Sequence, residues 1–200
     1  MDFGLFTLIW KRSHRLSIDY GETTGAIFNN GHTIEVETEG QNTLRLDDDY
    51  ELVQFHFHTP SEHTIDGNSF PMELHLVHKD TQGNLAVVGV MMEKGDKNPV
   101  LSKVWSSLPK KHGKEVALKE PLDMNALLPE DKGAYRYVGS LTTPPCTEGV
   151  KWIVMKSSLN VTVKQLAGFK KLFPMNARPL QPINSRSVLV DITTTEQAAN

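Results

Sequence analysis

The sequence predicts a mainly β domain with a few short peripheral helices. Most of the 200 residues fall into short apolar or alternating segments, and turn signals separate them at Asn29–Gly31, Asp66–Asn68 and Gln82–Asn84. Only two segments place apolar residues at helical spacing, and no internal repeat or low-complexity linker divides the chain. A chain of this length is expected to form one domain with a substantial core.

The strand signal recurs along the chain. The longest apolar run inside it, Leu85–Met92, is too short to cross a bilayer and is typical of a buried strand. In chain order the predicted strands are Ala26–Phe28, Thr33–Glu37, Thr43–Leu46, Tyr50–His58, Met72–Lys79, Leu85–Met92, Ala134–Leu141, Val150–Met155 and Val188–Asp191.

Two helices are predicted from capping residues that precede apolar stripes. Asn98 is a helix cap with proline at the first helical position, and its stripe runs to Leu108. Thr162 and Gln165 form a capping-box pattern before a stripe that ends at Phe173. We interpret the aromatic residues of both stripes as core that packs against the sheet.

The net charge and the positions of the apolar residues argue against some classes of function. The chain carries 21 Lys and Arg against 24 Asp and Glu, a net charge of -3, and no basic cluster predicts nucleic acid as a partner. The apolar start, Phe3–Trp10, has its positive charges after it, at Lys11 and Arg12. A secretory signal has its positive charge first, so we do not predict a signal peptide here.

Cys146 is the single cysteine of the chain, which rules out an internal disulfide. One interpretation is a small buried apolar residue. The other is a cysteine whose partner lies outside this sequence. The sequence leaves both interpretations open.

Two stretches, Gln54–His58 and Glu73–His78, carry the clearest functional signal. Alternate side chains of a strand share a face, so His56 and His58 point the same way. A neighbouring strand can add His75 to that face, which would bring three imidazoles together. Three neutral histidines leave a tetrahedral metal one open position, an arrangement typical of a catalytic zinc site rather than a structural one.

A His-x-His pair in a strand is by itself more often a surface or core pair than a metal site. Two features favour the metal here. Both segments alternate histidine with bulky apolar residues, so the histidine face is expected to be enclosed. Gln54 and Glu73 also precede the first histidine of each segment by two positions, and metal-bound histidines usually donate their second ring proton to such a partner.

Glu62 and Thr142 are candidates for orienting a nucleophile at this metal. A threonine hydroxyl that donates to a carboxylate must accept from the nucleophile, which directs the nucleophile's lone pair towards a substrate. The spacing alone fits equally well a solvated turn residue after Pro60 and a residue that merely starts the turn at Thr143.

The combined motifs resemble the α-class carbonic anhydrases, most closely the bacterial members. The matching segments extend from about residue 16 to about residue 191 and are residues 29–32 (NNGH), 54–63 (QFHFHTPSEH), 73–78 (ELHLVH), 139–152 (GSLTTPPCTEGVKW) and 176–182 (NARPLQP). The resemblance implies a ten-stranded, mostly antiparallel twisted central sheet with short peripheral helices. It also implies reversible hydration of carbon dioxide to bicarbonate and a proton by zinc-bound hydroxide, and this family is itself the standard example of zinc lowering the pKa of bound water.

The resemblance further implies roles for individual residues. The zinc ligands are His56, His58 and His75, and their hydrogen-bond partners are Gln54, Glu73 and the backbone near Asn176. Thr142 orients the hydroxide and is held by Glu62, His32 is the proton shuttle, and His63 is a structural histidine. The substrate residues are Val77, Val87, Leu141, Val150 and Trp152, which form an apolar wall for carbon dioxide, and Thr143, which contacts bicarbonate and inhibitors.

The apolar wall also has a physical rationale that does not depend on the family. Val77 lies two residues from His75 and therefore on the same face of its strand. Carbon dioxide has no net charge or dipole, so a dry pocket can hold it weakly, whereas charged bicarbonate is poorly solvated there and leaves. Ordinary core valines would look the same without the histidines.

The N-terminal residues depart from the family pattern. The usual Trp-Gly-Tyr motif and the early cysteine that pairs with the position of Cys146 are not found, so we expect an atypical segment 1–15, a carbonic anhydrase domain 16–191 and a tail 192–200. We also expect reduced stability from the unpaired cysteine. Glu35 stands where the family often has an uncharged amide near the shuttle, a difference that would alter proton transfer.

The resemblance implies inhibition by sulfonamides and anions, a periplasmic or secreted location and often a homodimer. Charge and the length of the apolar runs predict no nucleic-acid partner and no membrane span. One rival function is a non-catalytic zinc-binding or interaction domain on the same fold, which usually lacks a zinc histidine. Another is a zinc ester hydrolase, which would need room for an acyl group. The three histidines and the valine-lined wall favour the hydratase.

Overall fold

The computed structural model of the protein describes residues 16–191, so the predicted segments 1–15 and 192–200 lie outside the described residues. Within this range the chain forms one large sheet, a two-stranded sheet and three short helical segments. The predicted mainly β class is confirmed. None of the helices in residues 16–191 has the length and apolar character needed to cross a membrane.

The long strands coincide with the predicted alternating and apolar segments, and several shorter strands were not predicted. In chain order the strands are β1 Ser17–Asp19, β2 Glu22–Asn29, β3 Ile34–Glu39, β4 Thr43–Arg45, β5 Asp49–His58, β6 Thr64–Ile65, β7 Asn68–Ser69, β8 Met72–Lys79, β9 Leu85–Lys94, β10 Glu115–Ala117, β11 Leu122–Asp123, β12 Ala134–Ser140, β13 Glu148–Met155, β14 Leu159–Val161 and β15 Leu189–Val190.

The main sheet has the order β10-β2-β3-β5-β8-β9-β13-β12-β15. Its strand pairs are antiparallel except where β9 pairs in parallel with β13 and β14. The sheet of the described residues contains 13 strands, which differs from the expected ten. The difference arises because segments of two or three residues, such as β10, β11 and β14, pair with the ends of longer strands and count separately.

Both predicted helices begin at their predicted caps. Helix α1 is Pro99–Trp105 and α2 is Val163–Lys170, and a 3-10 helix spans Met124–Leu127. The Asn98 side chain accepts from the first turn of α1, and Thr162 caps α2 in a complete capping box.

Helix α1 ends at Trp105, earlier than the predicted stripe that runs to Leu108. Pro109 disfavours helical backbone in the residue before it, which helps to explain the early end. The two helices are joined by hydrogen bonds, because Gln165 Nε2 donates to the carbonyl of Asn98 at 2.7 Å and Trp105 Nε1 donates to the carbonyl of Gln165 at 2.8 Å.

Strand β5 separates an apolar face from a polar one. Phe55 and Phe57 are fully buried in the main core, and the Phe57 ring lies edge-on to Trp105 with centroids 4.9 Å apart. Burial of each ring contributes about 1.5–3 kcal/mol. Because side chains alternate along a strand, this packing holds His56 and His58 on the opposite face.

Cys146 lies in the turn between β12 and β13 and is half-buried. Its N–H donates to the carbonyl of Thr143 at 2.9 Å, and its backbone has a positive φ of 57°. Because Cys146 is only partly buried, its interpretation as a small buried apolar residue is wrong. Pairing with a cysteine outside this sequence stays a prediction.

Tyr20 and His78 form a buried polar pair on the apolar side of the sheet. The Tyr20 hydroxyl bonds Nε2 of His78, and Nδ1 of His78 bonds the carbonyl of Ala86 at 3.3 Å. A carbonyl can only accept, so Nδ1 carries the proton and the hydroxyl donates to Nε2. Burial raises the pKa of Tyr20 and lowers the pKa of His78 to about 4, so both side chains are neutral near pH 7.

We expect the metal-free protein to lose stability as the pH falls from about 6.5 to about 4, in part through His78. The unfolded chain binds a proton at this ring below pH 6.5, whereas the folded chain binds it only near pH 4, so unfolding becomes more favourable as the pH falls through this window. The full difference corresponds to about 3 kcal/mol. Urea unfolding across this pH range measures the effect.

His78→Gln is the matched control, because its amide can accept from Tyr20 and donate to Ala86 without titrating. The variant should show a shallower dependence of unfolding free energy on pH. His58, which is also buried with a pKa of about 4, contributes equally to both chains. The same slope in both chains would contradict the role of His78.

Candidate metal centre

Strands β5 and β8 bring the three predicted histidines together. They pair antiparallel with His56 directly opposite His75, and side chains that lie directly opposite share a face. His58 lies two residues further along β5 on the same face. The ring centroids are 5.0 Å apart for His56 and His58, 5.2 Å for His56 and His75, and 4.6 Å for His58 and His75.

Each of the three imidazoles has one nitrogen held by a hydrogen-bond acceptor. The bonds are His56 Nδ1 to Gln54 Oε1 at 2.8 Å, His58 Nδ1 to the carbonyl of Asn176 at 3.2 Å, and His75 Nε2 to Glu73 Oε1 at 2.9 Å. All three acceptors are oxygens that cannot donate, so the bonds select the tautomer of each ring. A lone pair therefore remains on Nε2 of His56, on Nε2 of His58 and on Nδ1 of His75.

The residues present fit a catalytic zinc ion. One nitrogen from each ring lies within 4.8 Å of the other two. Nε2 of His58 is buried without a hydrogen-bond partner in the described part of the chain, which is costly unless a ligand takes the position. Burial lowers the pKa of His56 well below its ordinary value and the pKa of His58 to about 4. Both rings are therefore neutral at pH 7, and each can bind a metal through a nitrogen lone pair.

A second group, His63, Glu73 and His75, also lies close enough to hold a metal, but its donor atoms are already engaged. His63 Nδ1 donates to Glu73 Oε1 at 2.6 Å, and the hydroxyl of Tyr137 donates to His63 Nε2 at 2.7 Å. Burial raises the pKa of Tyr137 well above its ordinary value, which keeps the hydroxyl protonated. This group is therefore a hydrogen-bond network that supports the centre.

The carboxylate of Glu73 accepts most of the hydrogen bonds in that network. Its Oε1 accepts from His63 and His75, and its Oε2 accepts from the backbone N–H groups of Glu62 at 2.8 Å and His63 at 3.0 Å. Burial alone would raise the pKa of Glu73, but the two histidines and their hydrogen bonds hold it well below its ordinary value. In turn, the carboxylate raises the pKa of His75 against the effect of burial and makes this ring a stronger donor to a metal.

Gly89 leaves room for the Glu73 carboxylate. It lies directly opposite His75 on β9, and a Cβ at this position would be only 3.0 Å from Glu73 Oε1. Gly89 was not among the site residues predicted from the sequence. A glycine inside an apolar strand is the signal that could have found it, because such a glycine often marks a close approach of another group.

A second apolar cluster, separate from the main core, lies beside the histidines. The predicted wall residues all belong to it or pack against it, namely Val77, Val87, Val150, Trp152 and Leu141. The indole of Trp152 meets the ring of His75 edge-on with centroids 4.8 Å apart. The structure thus places an apolar surface directly against the candidate metal site.

Glu62 and Thr142 line one small cavity of about 50 Å³. Glu62 is only 5% exposed, so its interpretation as a solvated turn residue is wrong. Its Oε1 accepts from the N–H of Arg178 at 2.7 Å and lies 3.3 Å from Nδ1 of His58. Thr142 is half-buried, and Thr143 beside it is exposed at the rim.

His32 lies exposed on the turn that follows β2. Asn30 Oδ1 accepts from the N–H groups of His32 at 2.9 Å and Thr33 at 2.8 Å. Gly31 between them has a positive φ of 85°, a backbone conformation that favours glycine. The turn therefore presents the imidazole of His32 to solvent.

Asn176 connects this turn to the candidate metal site. Its backbone carbonyl accepts from His58, and its Nδ2 donates to the carbonyls of His32 and Phe57, both at 2.9 Å. Its Oδ1 also accepts from the N–H of Thr59 at 2.7 Å. One asparagine thus positions a histidine of the centre and the predicted shuttle relative to each other.

Tyr137, Arg178 and the side chain of Asn176 are site residues that sequence reasoning did not assign. Arg178 and Asn176 fall inside a segment that the resemblance had marked, but nothing in its spacing indicates which atoms reach the site. Tyr137 belongs to a predicted strand and has no sequence signal of its own, because its partner His63 is 74 positions away.

An acidic cavity of about 370 Å³ adjoins the centre and is lined by Gly25, Ala26, Glu35, Glu37, Thr38, Glu39, Val53, Gln54 and Glu115. Glu35 lies directly opposite His56, and Glu37 directly opposite Gln54, so both glutamates share the histidine face. Burial and the neighbouring Glu37 raise the pKa of Glu35, while its hydrogen bond from Asn30 acts in the opposite direction. The site therefore has an acidic side opposite its apolar wall.

Comparisons with known proteins agree with this geometry. Residues 10–192 match the model of the eukaryotic-type carbonic anhydrase family. The chain is 44% identical over 184 residues to a carbonic anhydrase of Klebsiella pneumoniae, which covers 89% of this chain and 75% of that protein. It is 40% identical over 176 residues to a carbonic anhydrase of Pectobacterium carotovorum, and this match covers 87% of this chain and 72% of that protein.

Comparison with solved structures leads to the same family. The solved α-carbonic anhydrase of Thermovibrio ammonificans, in complex with the inhibitor sulfanilamide, superposes with a TM-score of 0.91 at 42% identity. The match covers 94% of this chain and 84% of that one. The histidine centre, the apolar wall and these similarities together show that the chain belongs to the α-class, or eukaryotic-type, carbonic anhydrase family.

Proposed function

We propose that the protein catalyses the reversible hydration of carbon dioxide to bicarbonate and a proton, with one zinc ion held by His56, His58 and His75. The observation that carries this proposal is the convergence of three imidazole nitrogens beside an apolar wall, one of them a buried atom that has no hydrogen-bond partner within residues 16–191. When bound, zinc supplies hydroxide near neutral pH by lowering the pKa of water, an effect for which carbonic anhydrase is the standard example.

The apolar wall selects the substrate. Val77, Val87 and Val150 are almost fully buried, and the indole of Trp152 closes the wall against His75. Carbon dioxide has no charge or dipole, so it loses little by leaving water for this surface. Bicarbonate is charged and is poorly solvated there, which favours its release. The apolar wall therefore favours a small uncharged substrate.

Thr142 and Glu62 orient the attacking oxygen. Glu62 is fixed by the N–H of Arg178 and by its own backbone bond to Glu73. Thr142 lines the same small cavity as Glu62, and we propose that its hydroxyl donates to this carboxylate and so accepts from the nucleophile. The nucleophile then turns its lone pair towards carbon dioxide, which raises the probability of a productive approach.

His32 exports the proton that the reaction releases. Histidine changes charge between pH 5 and 8, so an exposed imidazole near the site can accept this proton and pass it to buffer. The hydrogen bonds of Asn30 and Asn176 hold the backbone of His32 in place while its ring remains exposed.

Aryl sulfonamides and small anions are the expected inhibitors, because each can compete for the fourth position at the metal. The relative from Thermovibrio ammonificans is solved with sulfanilamide, which supports this expectation. The homodimer and the periplasmic or secreted location stay predictions.

His58→Ala should abolish stoichiometric zinc binding, because two histidines form an incomplete site. Metal analysis of the purified variant, combined with its rate of carbon dioxide hydration, checks this. His32→Ala is the control and should keep the zinc content of the wild type. A His58→Ala chain with full zinc content and full activity would show that the ligand assignment is wrong.

Thr142→Ala should retain zinc and lose kcat/KM on the order of 100-fold, because the nucleophile forms but is poorly oriented. Stopped-flow hydration at saturating zinc measures the loss. Thr142→Ser keeps the hydroxyl and should recover most of the activity. Equal kcat/KM in the alanine variant and the wild type would contradict the orienting role.

His32→Ala should lower kcat in dilute buffer by about tenfold or more while kcat/KM changes little. Proton export follows the hydration step, so only the maximal rate depends on it. Added imidazole should restore much of the rate. An equal loss in both parameters without rescue would exclude His32 as the shuttle.

A further inference from the structure

His112 packs against the turn that carries His32. A Cβ added at Gly31 would lie 3.0 Å from Cδ2 and 3.1 Å from Nε2 of His112, so the imidazole directly covers this glycine. Gly31 is the residue before His32. Both histidines are nevertheless exposed, so each ring remains accessible to solvent.

Hydrogen bonds fasten the loop of residues 109–114, which carries His112, to the same turn. Asn29 Nδ2 donates to the carbonyl of Pro109 at 2.9 Å. The N–H of Gly113 donates to the carbonyl of Asn29 at 2.8 Å, and the N–H of Asn29 donates to the carbonyl of Lys114 at 3.1 Å. Asn29 is buried, so these bonds are shielded from water. The juxtaposition of His112 with the turn is therefore held by two backbone hydrogen bonds and one from the Asn29 side chain.

We propose that His112 is a second proton carrier, which takes the proton from His32 and delivers it to buffer. The inference rests on the proposed function, because His32 must first receive a proton from the hydration reaction. The imidazolium of His32 gives one N–H proton to a bridging water molecule, and a neutral ring nitrogen of His112 takes a proton from that water. The imidazolium of His112 then gives the proton to a buffer base, and both rings return to the neutral form.

Transfer between two histidines is chemically well matched, because donor and acceptor are the same group. The surroundings also favour the last step. Lys110, Lys111 and Lys114 on the loop are exposed and attract anionic buffer bases to His112. Two acidic residues accompany these lysines near the two histidines. Glu115 follows the loop in sequence, and Glu35 accepts a hydrogen bond from Asn30 on the turn.

A purely structural role for His112, as a ring that packs on Gly31, makes a different prediction. Glutamine has a planar polar group of similar size and can cover the glycine, but it does not exchange a proton near pH 7. His112→Gln should therefore preserve packing and abolish proton transfer. His112→Ala removes both.

The first test is stopped-flow hydration by the zinc-loaded wild type, His112→Ala and His112→Gln in dilute and in concentrated imidazole buffer. Both variants should lose kcat several-fold in dilute buffer, keep kcat/KM, and recover in concentrated imidazole. Wild-type kcat in His112→Gln would overturn the proposal and leave a packing role. Unchanged kcat in His112→Ala would overturn it outright.

The double variant His32→Ala/His112→Ala tests the order of transfer. If His112 receives its proton from His32, removing His112 should have little further effect once His32 is absent, so the losses should not multiply. Multiplicative losses would show that His112 does not act through His32 and would overturn the proposed sequence.

An NMR measurement that is independent of turnover tests the placement of His112. Ring protons of His112 should show nuclear Overhauser contacts to the α protons of Gly31, on which the ring packs. Their absence would overturn the relay even in an active enzyme. If the zinc-loaded wild type hydrated no carbon dioxide, the proposed function would fail, whereas loss of the relay alone would leave kcat/KM and zinc content intact.

Discussion

The buried carboxylate of Glu73 ties the metal centre to the rest of the protein. It is fully buried and accepts four hydrogen bonds, from the rings of His63 and His75 and from two backbone N–H groups. An unpaired buried charge would cost several kcal/mol, so the surrounding chain must stay in place to keep it satisfied. Gly89 supplies the space that the carboxylate needs. The orientation of His75 and the path of the backbone at Glu62 both depend on this one group.

The two faces of the main sheet have different roles. One face of β5 buries Phe55 and Phe57 under the helices, and this packing provides stability that does not involve the metal. The other face presents His56 and His58, whose burial lowers the pKa of both rings and keeps them neutral. Because the two sets alternate residue by residue, a shift in register would exchange the faces, and the core therefore also determines where the candidate ligands point.

The outer part of the site is assembled from segments that are far apart in the chain. Asn176 links His58 to the turn of His32, and the N–H of Arg178 fixes Glu62. The proposed relay extends this arrangement outwards, since His112 belongs to a loop that Asn29 binds to the same turn. The proposed metal chemistry and the proposed proton export thus depend on one framework of hydrogen bonds.

The sequence by itself determined the mainly β class, the caps at Asn98 and Thr162, and the common face of His56 and His58, because alternation and capping are local properties of the chain. The same alternation made His56, His58 and His75 candidate zinc ligands, and family resemblance added the proton shuttle. Only the tertiary structure decided the number and order of strands, the burial of Glu62, and the contact between His112 and Gly31. These features arise from pairings between residues tens of positions apart. The geometry of such pairings depends on how the strands pack around the core, and it leaves no periodic signal in the sequence.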